Sequence, residues 1–325
     1  MLYYLIFFVY IAAFSLTYLV RVIALRKNIV DTPNFRSSHT LPTPRGGGLA
    51  IVLCWFTGII YLFISKNIES HLFYALLSGI ILAVVGLIDD IVSLKPIIRF
   101  IAQSVSAVLA LYFLGGINIT EFDNNILIAL TQLFTLLGIL WFINLFNFMD
   151  GIDGYASLET IFIAVGMFLF VSDLVFIILI AATAGFLSWN WPKAKIFMGD
   201  TGSTQLGFIL IILGIYYHNT TEFHIVNWII LSSVFWFDAT VTLFRRFIKK
   251  EDLSIAHRKH AYQRLIQGGF SHLKVDIIVS ILNLALLGLV WLNQNIRTGF
   301  LLIIGILILF TFLMRIVDRI HPFRT

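Results

Sequence analysis

Eleven apolar runs, each close to the length needed to cross a bilayer, follow one another along almost the whole chain. They lie at about residues 2–22, 47–65, 71–88, 97–114, 126–146, 155–171, 174–190, 204–218, 225–245, 274–292 and 298–316, with Pro, Gly, Asn and charge in the gaps. Hydrocarbon offers no water to backbone amides and carbonyls, so runs of this kind fold as helices that satisfy their own hydrogen bonds. Composition agrees: only 12% of the 325 residues are charged, against about 25% in soluble domains. The expected fold is an all-α integral membrane protein, a polytopic bundle of about 10–11 transmembrane helices forming one domain over residues 1–325. No internal repeat divides it.

The basic residue at the first run, Arg21, follows it rather than precedes it, which reads as a retained span and not as a signal peptide. The single cysteine, Cys54, lies inside the second run and excludes a disulfide framework. The net charge of +5 has a membrane explanation and predicts no nucleic-acid partner. With the N-terminus outside, the alternation of spans leaves only Lys66 and Arg297 of the 22 basic residues on the outer side. In the same frame Asp89, Asp90, Asp150, Asp153 and Asp200 all fall on the inner, cytoplasmic face. The reading is a bacterial plasma-membrane protein with its acidic loops at the cytoplasmic mouth of the bundle.

Those loops carry the chemistry. Asp89 and Asp90 end the third run, where the helix dipole disfavours acids and two adjacent carboxylates repel. A metal ion, Lys95 or Arg99 is expected to compensate them. Asn144, Asn147, Asp150 and Asp153 recur every three residues, and if the helix continues they share one slowly drifting face. Carboxylates and amides of this kind suit a hard cation such as Mg²⁺ together with phosphate ligands. Met198-Gly199-Asp200-Thr201-Gly202-Ser203 opens the eighth run, and a glycine-rich helix N-terminus favours anions. Asp238, inside the ninth run, either pairs with a basic residue such as Arg245 or Arg246 or takes part in catalysis. The long polar loop 245–274 contains His257, Arg258 and His260, which could bind a diphosphate or simply face anionic membrane lipids. His39 and Arg45 form a second basic patch, and the three glycines 46–48 entering the second run point to close contact with a ligand or a neighbouring helix. His71, His218, His224 and His321 read as ordinary interfacial residues.

Taken in order, Pro42-Thr-Pro-Arg45-Gly-Gly-Gly48, Asp89-Asp90 with Arg99, Asn144-x-x-Asn147-x-x-Asp150-Gly-x-Asp153-Gly, Met198-Gly-Asp200-x-Gly-Ser203 and Asp238 before Arg245-Arg246 resemble the polyprenyl-phosphate N-acetylhexosamine-1-phosphate transferases, glycosyltransferase family 4, with its MraY-like and WecA-like members. Arg36-Ser-Ser-His39 and His257-Arg258-x-His260-Ala-Tyr262-Gln263 are most similar to the WbpL-like branch that starts O-antigen synthesis. Two departures stand out. Lys95 lies five residues after Asp90 where MraY-like members place a lysine three after, and of a His-x-His-His run only His260 is kept.

The resemblance implies transfer of an N-acetylhexosamine-1-phosphate (GlcNAc, FucNAc or QuiNAc type) from a UDP-N-acetyl sugar to undecaprenyl phosphate. The products are a polyprenyl-diphosphate sugar and UMP, in O-antigen or other cell-envelope polysaccharide synthesis. It implies Mg²⁺, with Mn²⁺ as a substitute, held by Asn147 and Asp200. Asp89 and Asp90 would deprotonate or orient the lipid phosphate, and Asp150 and Asp153 would lie near the nucleotide and diphosphate. Arg45, Lys95, Arg99, Asn144, His257, Arg258 and His260 are the expected substrate-binding residues, and a homodimer is a family habit. The alternatives are the phospho-N-acetylmuramoyl-pentapeptide transferase of peptidoglycan synthesis and, in a different class, a transporter. Transporters carry midplane acids and inverted repeats, neither of which is visible here.

Overall fold

The structure, a computed structural model, describes residues 2–33, 41–118, 125–253, 255, 257–293 and 296–323. Arg36 and His39 lie outside the described residues. The helices are α1 (Leu2–Arg26), α2 (Gly48–Ile64), α3 (Ser70–Leu77), α4 (Ile80–Val92), α5 (Pro96–Leu114), α6 (Asn125–Met149) and α7 (Tyr155–Val171). They continue with α8 (Leu174–Asn190), α9 (Asp200–Thr220), α10 (Ile225–Leu231), α11 (Ser233–Ile248), α12 (Ala261–Gln267), α13 (His272–Leu292) and α14 (Ile296–Ile320). One antiparallel pair, β1 (Val30–Asp31) with β2 (Thr43–Pro44), sets Val30 opposite Pro44 and Asp31 opposite Thr43.

The eleven expected rods are present, and the protein is an all-α polytopic membrane protein. Among the described residues six rods, with α3 and α4 taken together as Ser70–Val92, are long and apolar enough to cross a bilayer; the bent pair α10–α11 makes a seventh. The 17-residue helices α2, α7 and α8 are shorter, about 25 Å at 1.5 Å per residue. The remaining rod, α9, is the centre of the bundle. Every residue from Thr201 to Tyr217 is buried, so its surroundings are protein rather than lipid.

Local chemistry sets the ends. Pro96 opens α5, where its missing N–H has no helical partner to lose, and Gly115 closes it at φ +78°. Asp173 caps α8 by accepting the Val175 N–H at 3.0 Å, and Ser271 caps α13 by accepting that of Lys274 at 3.2 Å. The 74° bend between α10 and α11 falls at Ser232 without proline or glycine, so the sequence reads it as one helix. The carbonyl freed there, that of Ile229, is taken by the Trp236 indole at 2.8 Å. That bond supplies what hydrocarbon cannot.

Candidate active site

A polar cavity of about 330 Å³ opens at one end of the bundle. Its wall draws on the ends of α4, α6 and α8, the loops 150–154 and 197–199, the start of α9, α12 and α13, and the β1–β2 pair. Of the residues expected from sequence, it brings together Arg45, Asp90, Asn147, Asp150, Asp153 and Asp200.

Asp90, on α4, is 3% exposed and spends its carboxylate on α9. It accepts the N–H of Asp200 at 2.9 Å, the N–H of Thr201 at 3.2 Å and the Thr201 hydroxyl at 2.6 Å. The anion expected at the N-terminus of α9 is therefore a side chain of the protein itself. That contact also answers the dipole objection to an acid at the end of α4, since the positive end of α9 meets it. Gly199, at φ +77°, makes the approach feasible: a Cβ there would lie 2.5 Å from Asp90 Oδ1. Asp89 accepts the Leu94 N–H at 2.5 Å and pairs at 3.3 Å with Arg99, which also binds Asp200 at 2.9 Å. Arg99 is thus the compensating cation, while Lys95 is exposed and not on the cavity wall.

The glycines before α2 pack against a helix. A Cβ on Gly48 would lie 2.3 Å from Gly202 Cα, and the Gly47 and Gly48 amides donate to Phe197 and Met198 carbonyls at 2.9 and 2.8 Å. This ladder sets Arg45 beside the 197–199 loop.

The expected stripe on a continuing helix is not formed. Because α6 ends at Met149, Asp150 and Asp153 belong to a loop. Asn147 donates to Asp200 Oδ1 at 3.2 Å and to Ser203 Oγ at 2.8 Å. Asn144 turns away to Gln103, donating to Oε1 at 2.7 Å. Burial, and then the carboxylates of Asp200, Asp90 and Asp153, hold the Asp150 carboxyl well above the usual range. Asn190 joins the two loops, accepting the Gly154 N–H at 2.9 Å and donating to the Ile196 carbonyl at 3.0 Å.

The histidine loop departs most from expectation. His260 is 2% exposed, stacks on Tyr262, and sets Nδ1 3.6 Å from Asp238. Asp238 also accepts the N–H groups of Ala261 and Tyr262 at 2.8 and 3.3 Å, so its partner is the start of α12 rather than an arginine. Arg245 binds Asp318 and Arg246 binds Glu251. His257 packs on His260, and burial with the nearby His260, Arg246 and Lys259 charges pushes its imidazole down to about 3. None of His257, Arg258 and His260 lies on the cavity wall; α12 contributes Gln263.

Asp31, Asn190 and His272 line the wall without having been singled out in the sequence, and Gln263 entered there only as part of a motif. A signal existed for His272, a histidine opening a span on the acidic face.

The residues fit a magnesium ion. Among the described residues no three His, Cys, Asp or Glu side chains form a ready metal cage. Mg²⁺ does not require one, since it takes one or two carboxylates and completes its shell with water and substrate phosphate. Asn147 spends its amide nitrogen on Asp200 and Ser203, bonds that do not use its carbonyl oxygen, and both Asn147 and Asp200 stand on the cavity wall.

Residues 72–218 match the sequence profile of glycosyl transferase family 4. A "probable undecaprenyl-phosphate N-acetylglucosaminyl 1-phosphate transferase" of Bacillus subtilis is 33% identical over 287 residues, covering 81% of this chain and 76% of the relative. A decaprenyl-phosphate N-acetylglucosaminephosphotransferase of Mycobacterium leprae is 27% identical, covering 83% and 78%. An undecaprenyl-phosphate alpha-N-acetylglucosaminyl 1-phosphate transferase of Salmonella typhi is 28% identical, covering 81% and 76%. With the ordered acidic loops meeting in one cavity of a membrane bundle, these similarities carry one conclusion: the chain belongs to glycosyl transferase family 4.

Proposed function

We propose that the cavity binds a UDP-N-acetylhexosamine, GlcNAc by the names of the relatives, and transfers its sugar-1-phosphate to a polyprenyl phosphate such as undecaprenyl phosphate. An oxygen of the lipid phosphate attacks the phosphorus that bears the sugar; the bond from that phosphorus to the bridging oxygen breaks, and UMP leaves. The observation that carries the reading is the convergence of Asp150, Asp153, Asp200 and Asn147 with Arg45 in a cavity at one end of a membrane bundle. A soluble nucleotide and a membrane-held acceptor can meet there.

Both reactants are anions, so catalysis rests on positioning and charge neutralisation. Asn147 and Asp200 would hold Mg²⁺, which when bound neutralises the diphosphate. Arg99 holds Asp200 and Asp89 in register. Arg45 offers a positive charge from the wall beside the 197–199 loop, and Asp150 and Asp153 face the nucleotide and diphosphate. Asp90 acts at one remove, by fixing the start of α9. The positive-inside pattern supports a cytoplasmic mouth, and the product would feed cell-envelope polysaccharide synthesis.

The test is UMP release by purified protein given undecaprenyl phosphate and a panel of UDP-N-acetyl sugars. Release with UDP-GlcNAc in a Mg²⁺-dependent manner is expected. No UMP with any sugar, alongside proton-coupled solute flux in vesicles, would turn the reading to a transporter.

A further inference from the structure

Behind the cavity wall, on α13, lies a group that the proposed chemistry does not use. Asp276 is 1% exposed, and neither of its carboxylate oxygens has a hydrogen-bond partner. A buried polar group without a partner is costly and uncommon, and an apolar residue would fill the same space without that cost. Two neighbours bear on it. A Cβ on Gly154 would lie 3.2 Å from Asp276 Oδ2, so the loop that carries Asp153 passes directly over it. One helical turn earlier on the same face of α13 is His272, which lines the cavity.

His272 Nδ1 accepts the Asp153 backbone N–H at 3.3 Å and lies 3.1 Å from Asp153 Oδ2. The same oxygen accepts the Ala194 N–H at 3.1 Å. Asp153 is therefore held from two sides by the protein, at Oδ2 by the loop after α8 and at its backbone N–H by His272 of α13. The Asp153 carboxylate cannot rotate freely, and Oδ1 is left for the cavity that Asp153 lines.

We propose that His272 is a positioning residue: with the Ala194 amide it fixes Asp153 and presents Oδ1 to the sugar nucleotide, while buried Asp276 supports the same loop from beneath, against Gly154. The inference rests on the function proposed above and adds to it a residue 119 positions from Asp153 in sequence. It assigns to the start of α13 a part in holding the sugar nucleotide that residue spacing alone points to in the 257–260 loop. The acceptor lipid should not sense this contact, because His272 acts only through Asp153.

The experiment uses full-length protein in detergent and compares His272→Ala, His272→Asn, His272→Gln and Asp276→Asn. Asparagine sets its amide group, with an acceptor oxygen for the Asp153 N–H, where Nδ1 stood, whereas glutamine sets it where Nε2 stood. UMP release gives KM for UDP-GlcNAc and for undecaprenyl phosphate separately, and calorimetry with UDP gives affinity without turnover. His272→Ala should raise KM for UDP-GlcNAc about tenfold and weaken UDP to match, with the lipid KM changed less than about twofold. His272→Asn should recover most of the loss and His272→Gln little of it, and Asp276→Asn should shift the same parameters by about threefold. The Asn–Gln contrast decides the question even if the alanine variant folds poorly, since a packing role would treat the two amides alike. Equal behaviour of Asn and Gln, or a lipid KM that moves as far as the sugar-nucleotide KM, would overturn the inference and leave the proposed function standing. A wild-type protein that neither binds UDP nor releases UMP would overturn both.

Discussion

The acids around the cavity are treated in two opposite ways. At the junction of α4 and α9 every carboxylate is engaged: Asp90 accepts three hydrogen bonds from the start of α9, and Asp89 and Asp200 share Arg99. Across the cavity, at α13, Asp276 is as deeply buried and accepts none, and Asp150 sits among like charges. The first group resembles a structural joint that happens to face a site. The second is held in place against its own electrostatics, which is how groups poised for a ligand differ from groups that merely hold the fold. Acidity and burial alone would not have separated them; the partners do.

The largest expected effect tests the carboxylate of the first group that the proposed chemistry also uses. Asp200→Asn should lower turnover by about a hundredfold or more and flatten the Mg²⁺ dependence, since an amide is a poor substitute for a charged ligand. Near-normal rates across a Mg²⁺ titration would remove Asp200 from the metal-binding set. Next comes stability. Asp90→Ala strands three donors at the head of α9 and should cost about 2–3 kcal/mol, whereas Asp276→Leu removes an unpartnered buried acid and should leave the unfolding midpoint unchanged or raised. Equal losses in thermal unfolding would erase the difference between the two groups of acids. A smaller effect follows from Asp150. Its carboxyl is raised in the folded state, so the folded protein binds more protons than the unfolded chain above the ordinary carboxylate range, and stability falls as pH rises. In Mg²⁺-free buffer Asp150→Asn should therefore be more stable than wild type at pH 7, with the gap closing as pH drops through about 4. A gap that widened in acid would reverse the assignment. The smallest change is expected at His218, near the far end of α9, where alanine should alter UMP release by less than about twofold.

The sequence made the bundle legible because lipid leaves a chain few options: an apolar run of bilayer length is a helix. It made the gathering of Asp90, Asp150, Asp153 and Asp200 legible because alternation of spans fixes which loops share an end. It did not reveal who bonds to whom. Asn144 meets Gln103 rather than a substrate, Asp238 meets the start of α12 rather than Arg245 or Arg246, and His260 is inside the fold. Each of these pairings is set by how rods cross, which residue spacing along one rod does not record. The break at Ser232 escaped for a related reason: its cost is met by Trp236, on the other side of the bend, and not by a proline or glycine at the break itself.

One helix is fastened at both ends. At the cavity, Asp90 holds the first amides of α9; at the far end, Asn219 donates to the Gly116 carbonyl at 2.6 Å and accepts the Asn118 N–H at 2.9 Å. With everything between Thr201 and Tyr217 buried, α9 has no exposed flank along that length, and its last residues reach the surface. Its amides should be the last in the protein to exchange with deuterium, opening only when the whole bundle opens. Any fitting of the site around a substrate then falls to the loop 150–154, to α12 and to the β1–β2 pair, moving against a fixed post.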